Sequence, residues 1–312
     1  MTGIGSPKIS SDSLQKKNRI STVAELLQTF NTDADSCVIP FSRSGNLILI
    51  RARADTTEGN FILDTGAPGL VLNITYFRDY PATADINEEQ NGIGGSVSSV
   101  KKTQVRSFNF NCVTTSAVAA DLVNLGHIEN SRGIKVFGLL GLSLFRKFEM
   151  IIDYENNLLY LYRTGKKKDG DSKCFLLRDT ATYSTVPIEI VNNKIVTRTT
   201  LAGKKLRLII DTGAESNVLD SRLPNKVFEN VDILKRIQLA GAGDKKVEAL
   251  YGNLNNLSIG NQLTGSLPVI ITNLEKSCLS DISCVDGILG FDFLSLHKIG
   301  FNFVNSKMYI WK

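Results

Sequence analysis

Two stretches decide the fold: FILDTGAPGLVLN at residues 61–73 and LIIDTGAESNVLD at residues 208–220. Each reads as an apolar run, Asp-Thr-Gly-Ala, three variable residues and an apolar pair. The apolar run before Asp64 or Asp211 suits a buried strand, and Thr-Gly-Ala suits a tight exit turn in which glycine permits close backbone approach. A carboxylate therefore stands at the mouth of each strand.

A single Asp-Thr-Gly is an ordinary turn sequence, but the second copy changes its meaning. Pro40 lies 24 residues before Asp64 and Pro187 lies 24 before Asp211. Downstream, GLLG at 138–141 answers GILG at 287–290 with an offset of 149, and the match then runs without a gap to Arg163 and Lys312, pairing Asn156 with Asn305 and Tyr160 with Tyr309. The pattern is that of one domain duplicated. It predicts an N-terminal extension at 1–36, a first lobe at 37–163, a link at 164–182 and a second lobe at 183–312.

Length and a hydrophobic content of 42% allow a core in each lobe. The net charge of +5 is modest, and the basic residues around the link are not interleaved with aromatics as a nucleic-acid surface would require. No nucleic-acid partner is expected. No apolar run reaches 18 residues, so no transmembrane span is expected. No secretory signal opens the chain, although a removed signal would leave the same sequence.

The cysteines are five, at 37, 112, 174, 278 and 284. Cys278 and Cys284 bracket a short polar loop that a disulfide would close, the alternative being two buried thiols. Zinc-type spacing is absent, and with only His127 and His297 a histidine metal centre is poorly supplied. Neither metal nor cofactor is expected.

Residues 22–30 (TVAELLQTF) carry apolar side chains at the spacing of one helical face, predicting a short N-terminal helix. LILIRARA at 47–54 turns from an apolar run into alternation, as a strand does on leaving a covered region. Glycine-rich tips follow at 91–97 and 240–245, where Gly92 and Gly94 match Gly241 and Gly243 and Gly95 adds a further hinge. Their repetition argues for a mechanical role. Each lobe closes with a hairpin turning at Asn156 or Asn305.

Taken together, these motifs resemble the retropepsin-like aspartic proteases. The two units in one chain are similar to the pepsin plan, while paired Asp-Thr-Gly-Ala motifs resemble bacterial and retroviral members. The resemblance spans residues 37–312 and implies an all-β fold of two duplicated acid-protease barrels about a pseudo-twofold axis. It implies Asp64 and Asp211 as the catalytic pair, with Thr65, Gly66, Ala67, Thr212, Gly213 and Ala214 supporting them. Leu139, Leu140 and Gly141, with Ile288, Leu289 and Gly290, match the apolar-apolar-Gly segment beneath the family's active-site turns. The tips match its flaps, which places Ile93 and Ala242 against substrate.

Two carboxylates at one cleft floor cannot both ionise cheaply and share a proton, so the pair can activate a water against a peptide bond without metal or covalent intermediate. The sequence also departs from the pattern. Pro68 and Gly69 stand where the second copy has Glu215 and Ser216, Ala67 and Ala214 lack the hydroxyl common in pepsin-like enzymes, and no flap tyrosine is evident. A peptide-binding module without turnover, or a structural β-rich surface protein, are the competing readings. The expected partner is a peptide or protein substrate and the expected state a monomer, because one chain carries both halves of the pair. Family analogy favours an extracytoplasmic site: periplasmic, surface-anchored or secreted.

Overall fold

The computed structural model describes residues 36–82, 84–86, 90–92, 95–97, 100–164, 174–240, 246–275 and 284–312. The expected helix at 22–30, the tip residues Ile93, Gly94, Gly241, Ala242 and Gly243, and Cys278 lie outside the described residues.

Burial explains the strands. In Leu47–Ala54 the first four residues are buried, after which the arginines turn outward while the alanines stay inside. This is the period-two alternation of a strand with a core on one face. The chain then reverses at Asp55, whose φ is 50°, a conformation Asp tolerates because its short side chain bonds locally. Asp55 Oδ1 accepts the Ser107 N–H at 2.9 Å.

Six strands of the first half close into a barrel. Thr57–Leu63 pairs with Leu47–Ala54 on one side and, in parallel, with Gly138–Leu140 on the other. Gly138–Leu140 meets Leu70–Asn73, which runs parallel to Val113–Val123. The hairpin partner of that strand, Val100–Phe110, returns to Leu47–Ala54 through Arg53↔Asn109 and Ala54↔Phe108. Phe61, Phe108 and Phe110 are fully buried, with Phe61 meeting Phe108 edge-on at 5.4 Å.

A fifteen-stranded open sheet carries the rest of the fold. It begins in the order Ser36–Pro40, Leu158–Arg163, Phe148–Asp153, Ile299–Asn302, Lys307–Trp311 and Tyr183–Val191, so both halves of the chain contribute to one layer. At the seam, buried Glu149 accepts hydrogen bonds from Asn302 Nδ2 at 2.7 Å and the Tyr309 hydroxyl at 3.1 Å, while buried Asp153 pairs with Lys298 at 2.9 Å. Burying these polar groups is tolerable because each has a partner.

Ladder registers recur between the halves. Phe61↔Gly138 and Leu70↔Ala120 are answered by Leu208↔Gly287 and Asn217↔Val269, and Ser36↔Tyr162 by Tyr183↔Trp311. The expectation of two closed barrels is nevertheless met only in the first half. There Val100–Phe110 is one continuous strand, whereas the corresponding stretch of the second half is split into Lys246–Leu254 and Ser258–Ile259. Between them Asn256 takes φ 62° and the Asn255 N–H turns to Asn230 O at 2.9 Å, so the ladder breaks before it can close. Ser258–Ile259 still pairs with Thr199 and Thr200.

The closing hairpins turn at 154–157 and 303–306, where Asn156 and Asn305 were expected. Positive φ falls on the next residues, Asn157 and Ser306, both at 54°. Asn156 and Asn305 donate their N–H groups back to Asp153 and Asn302.

The structure adds a disulfide, Cys37–Cys112, with Cα atoms 6.1 Å apart. It fastens the first strand of the large sheet to the Val100–Phe110 hairpin of the barrel. Cys284 is disulfide-bonded, and Cys174 is a buried thiol whose pKa burial pushes up to about 11.

Candidate active site

The two Asp-Thr-Gly-Ala turns are delivered in the same way. Thr57–Leu63 and Lys204–Ile210 each pair in parallel with the short strand that carries GLL or GIL. At the strand end, Asp64 donates its N–H to Leu140 O and Asp211 donates to Leu289 O, both at 3.0 Å. The chain then turns, with the Ala67 and Ala214 amides returning to Asp64 O and Asp211 O. Leu142 N–H reaches Ala67 O at 3.0 Å and Phe291 N–H reaches Ala214 O at 2.9 Å, so the segments carrying Leu139, Leu140, Gly141, Ile288, Leu289 and Gly290 lie against both turns. Gly141 N–H bonds Gly69 O, but its counterpart Gly290 N–H bonds the Asn217 side chain, both at 3.0 Å.

Fully buried Thr65 and Thr212 tie the turns together. Thr65 N–H donates to Thr212 Oγ1 and Thr212 N–H to Thr65 Oγ1, each at 3.0 Å. Each hydroxyl then donates onward across the junction, Thr65 to Ile210 O at 3.0 Å and Thr212 to Leu63 O at 2.8 Å. Thr212→Val would strand the Leu63 carbonyl and the Thr65 amide without partners in a buried place, where each orphan costs about 1–3 kcal/mol. Urea unfolding should register a loss of about 2–4 kcal/mol, largely restored in Thr212→Ser; an unchanged midpoint for the valine variant would contradict this role.

The carboxyl groups face each other over these bonds. Gly66 N–H lies 2.8 Å from Asp64 Oδ1 and 3.1 Å from Asp211 Oδ1, the Ala67 N–H reaches Asp64 Oδ1 at 3.0 Å, and Gly213 N–H reaches Asp211 Oδ1 at 2.8 Å. A Cβ on Gly66 would fall 2.5 Å from Asp211 Oδ2, and one on Gly213 would fall 2.6 Å from the Asp64 carboxyl. Glycine is required at both positions because the opposite carboxyl occupies that space. Burial, the Asp211 charge and a hydrogen bond to the Asp211 side chain push the Asp64 carboxyl up to about 7.

Charged residues outside the motifs also reach the site. Lys194 donates from Nζ to Gly66 O at 2.9 Å, and its charge opposes the upward push on Asp64. Glu215 forms an ion pair with Arg132, and its carbonyl accepts Asn46 Nδ2 at 3.2 Å. Each motif turn is thus held by a cationic side chain from the other half of the chain. Motif reading missed Lys194 and Arg132. The repeat did carry a signal for the first, since the offset of 147 sets Lys194 against Leu47, a core residue only 5% exposed. A lysine at the counterpart of a core position needs a partner.

Of the predicted tip residues, Gly92 and Gly95 pair in a two-stranded ribbon, Gln90–Gly92 with Gly95–Val97. Among the described residues no helix is long and apolar enough to cross a membrane.

Comparison with known proteins finds a likeness to aspartic proteases in a partial family match and in fold. A family model described as aspartyl protease matches residues 197–293, which include Asp211 and the GILG segment. Among solved structures, the aspartic proteinase from Irpex lacteus superposes with a TM-score of 0.51 at 13% identity, covering 89% of this chain and 97% of that one. No curated protein matches the sequence. The likeness is one of fold, β-rich with one closed six-stranded barrel and a large open sheet.

Proposed function

We propose that this protein is an aspartic endopeptidase in which Asp64 and Asp211 activate water for peptide-bond hydrolysis. One observation carries the reading: the Gly66 amide is bonded to both carboxyl groups at once, and each carboxyl closes over the glycine of the opposite motif. Two independent turn aspartates have no physical reason to meet in this way.

Burial first, and then the neighbouring Asp211 charge, favour retention of a proton at Asp64. In the single-proton state the ionised carboxylate takes a proton from water as its oxygen attacks the scissile carbonyl carbon, and the protonated carboxyl gives its proton to the carbonyl oxygen. The resulting tetrahedral diol collapses by C–N cleavage, one carboxyl passing its proton to the leaving amine while the other takes a hydroxyl proton, which leaves one proton on the pair. The threonine cross-bonds hold the two carboxyl groups at a fixed separation through both steps, which spares reorganisation during the reaction.

The two halves are read as copies of one unit related by a pseudo-twofold axis, closest to the retropepsin-like bacterial type. The recurring ladder registers and paired Asp-Thr-Gly-Ala turns support this. The axis passes through the seam, where Glu149 opposite Asn302 corresponds to Lys298 opposite Asp153 under the repeat offset. One chain carries both carboxylates, so a monomer suffices for the chemistry. The Cys37–Cys112 disulfide favours an oxidising, extracytoplasmic location. Gly92, Ile93, Gly94, Gly95, Gly241, Ala242 and Gly243 are the proposed flap and substrate contacts.

The unequal floor, Pro68 and Gly69 against Glu215 with its Arg132 partner, favours the second reading of a peptide-binding protein without turnover. Cleavage of a diverse peptide library from acidic to neutral pH separates the two. Endoproteolysis should follow a bell whose alkaline limb falls near pH 7, as the pair loses its proton at the level set for Asp64. Peptide binding with no cut product at any pH would establish the binding reading in its place.

A further inference from the structure

We infer that Lys194 is a positioning residue of the carboxyl pair, a fixed cation that holds the Asp64 turn through Gly66 and sets the pH window in which the pair carries one proton. The inference rests on the preceding reading of Asp64 and Asp211 as the working pair and adds the control of its protonation.

The placement is specific. Lys194 opens the strand Lys194–Leu201, directly after Asn192 and Asn193, whose φ values of 48° and 57° make a tight hairpin turn. Ile195 pairs with Ile210 in the ladder, so one further step in register sets Lys194 opposite Asp211. From there the side chain crosses to the other motif and donates to Gly66 O at 2.9 Å. Gly66 therefore has its carbonyl on the lysine and its amide on both carboxyl groups. Any neutral donor would satisfy a carbonyl; a cationic donor also sets a positive charge beside two acids.

The surrounding charges do not duplicate it. Asp211 is the acid facing Asp64, and it raises the cost of ionising Asp64 while Lys194 lowers that cost. Tyr154, buried near the second motif, lies within reach of both Arg43 and Asp211, and the Arg43 guanidinium sits over the Phe291 ring, 5.0 Å from its centre. Arg132 is engaged by Glu215, and Asp292 is bonded to the Ser216 side chain and the Asn217 amide behind the second turn. Among the described residues Lys194 is the cation that lowers the cost of ionising Asp64, and the corresponding position in the first half is the apolar Leu47. The pair is therefore electrostatically lopsided although its hydrogen-bonded frame is nearly symmetric. With one proton on the pair, the three groups sum to zero charge.

The test uses the full chain with Lys194→Met, Lys194→Gln and Lys194→Arg, read by the pH profile of peptide hydrolysis and by infrared titration of the carboxyl groups, with Asp64→Asn identifying the band. Removing the cation should move both limbs of the profile, and the carboxyl titration, upward by about one pH unit. Gln keeps a donor without the charge and should shift as Met does, while Arg should restore the wild-type profile. A folded Met or Gln variant whose titration superimposes on wild type overturns the inference, as does an Arg variant that behaves like Met. If wild type cleaves no peptide but its carboxyl titration shifts as stated, the lysine role stands and the proteolytic reading fails. If wild type cleaves and the profiles coincide, the lysine role alone fails.

Discussion

For the proposed catalytic pair, exchanging either acid for its amide, Asp64→Asn or Asp211→Asn, should lower peptide hydrolysis by at least about a thousandfold, and the double variant should be scarcely slower than the slower single one. Each exchange keeps the shape of the side chain and most of its hydrogen bonds, but an amide can neither take a proton from water nor return one to the leaving amine. Since the proposed pair works as one unit, the second loss should have little left to remove. The measurement is the rate of cleavage of a peptide found with wild type, across the acidic range. A single variant keeping a tenth or more of the wild-type rate would show that the acids do not share the chemistry.

The same substitution at Asp64 has a stability effect of determined sign. The folded carboxyl is raised to about 7 from an ordinary 3.8, with burial as the largest cause. Between these values the native state holds a proton that the unfolded chain has released, so wild-type stability falls as pH rises through that window and stays low above it. Asp64→Asn carries no such penalty. It should therefore gain on wild type as pH rises and exceed it above about pH 7, with the pH-dependent gain vanishing below about pH 4. Denaturant unfolding at acidic and mildly alkaline pH reads this directly, and a variant that loses ground on wild type as pH rises would reverse the sign.

The second large effect concerns the Cys37–Cys112 disulfide, which closes a loop with a sequence separation of 75. Restricting the unfolded chain over a loop of that length stabilises the native state by about 4 kcal/mol in the chain-entropy model. Cys37→Ser combined with Cys112→Ser should lower unfolding free energy by about that amount, and reductant, which also opens the Cys284 disulfide, should lower wild type by at least as much. Because Cys37 is buried and Cys112 is exposed, the serine at 37 adds a smaller penalty of its own. Cys37→Ala separates the two contributions. A double variant as stable as wild type in denaturant would mean that the crosslink does not constrain the unfolded chain.

Much of this arrangement is legible in the sequence. Thr65, Gly66, Thr212 and Gly213 were marked by the repetition of their motif, and the GLLG and GILG segments by a constant offset. Burial in the strand Leu47–Ala54 follows the switch from an apolar run to alternation in LILIRARA. These features depend on local spacing, and a duplicated sequence states each of them twice.

Other features escaped because they depend on distant partners. Cys37 and Cys112 meet only after the first strand joins the large sheet and the Val100–Phe110 hairpin folds over it, whereas the short interval between Cys278 and Cys284 drew attention by itself. The failure of the second barrel to close turns on Asn255 and Asn256, where the Asn255 N–H turns to a partner at Asn230. Lys194 and Arg132 contact motifs more than eighty residues away from their own positions, and nothing beside them in the chain announces those contacts.

The sequence by itself determined two strand-ending acids, a glycine after each, and the apolar segments that lie beneath them, because strand period, turn chemistry and repetition are properties of neighbouring residues. Only the tertiary structure decided that Gly66 would touch both carboxyl groups, that Thr65 and Thr212 would exchange hydrogen bonds, and that a lysine would stand beside one acid while a leucine occupied the matching place in the other half. Proton sharing, desolvation and charge balance act through space over a few ångströms, and chain positions 147 residues apart acquire that proximity only when the two halves pack together.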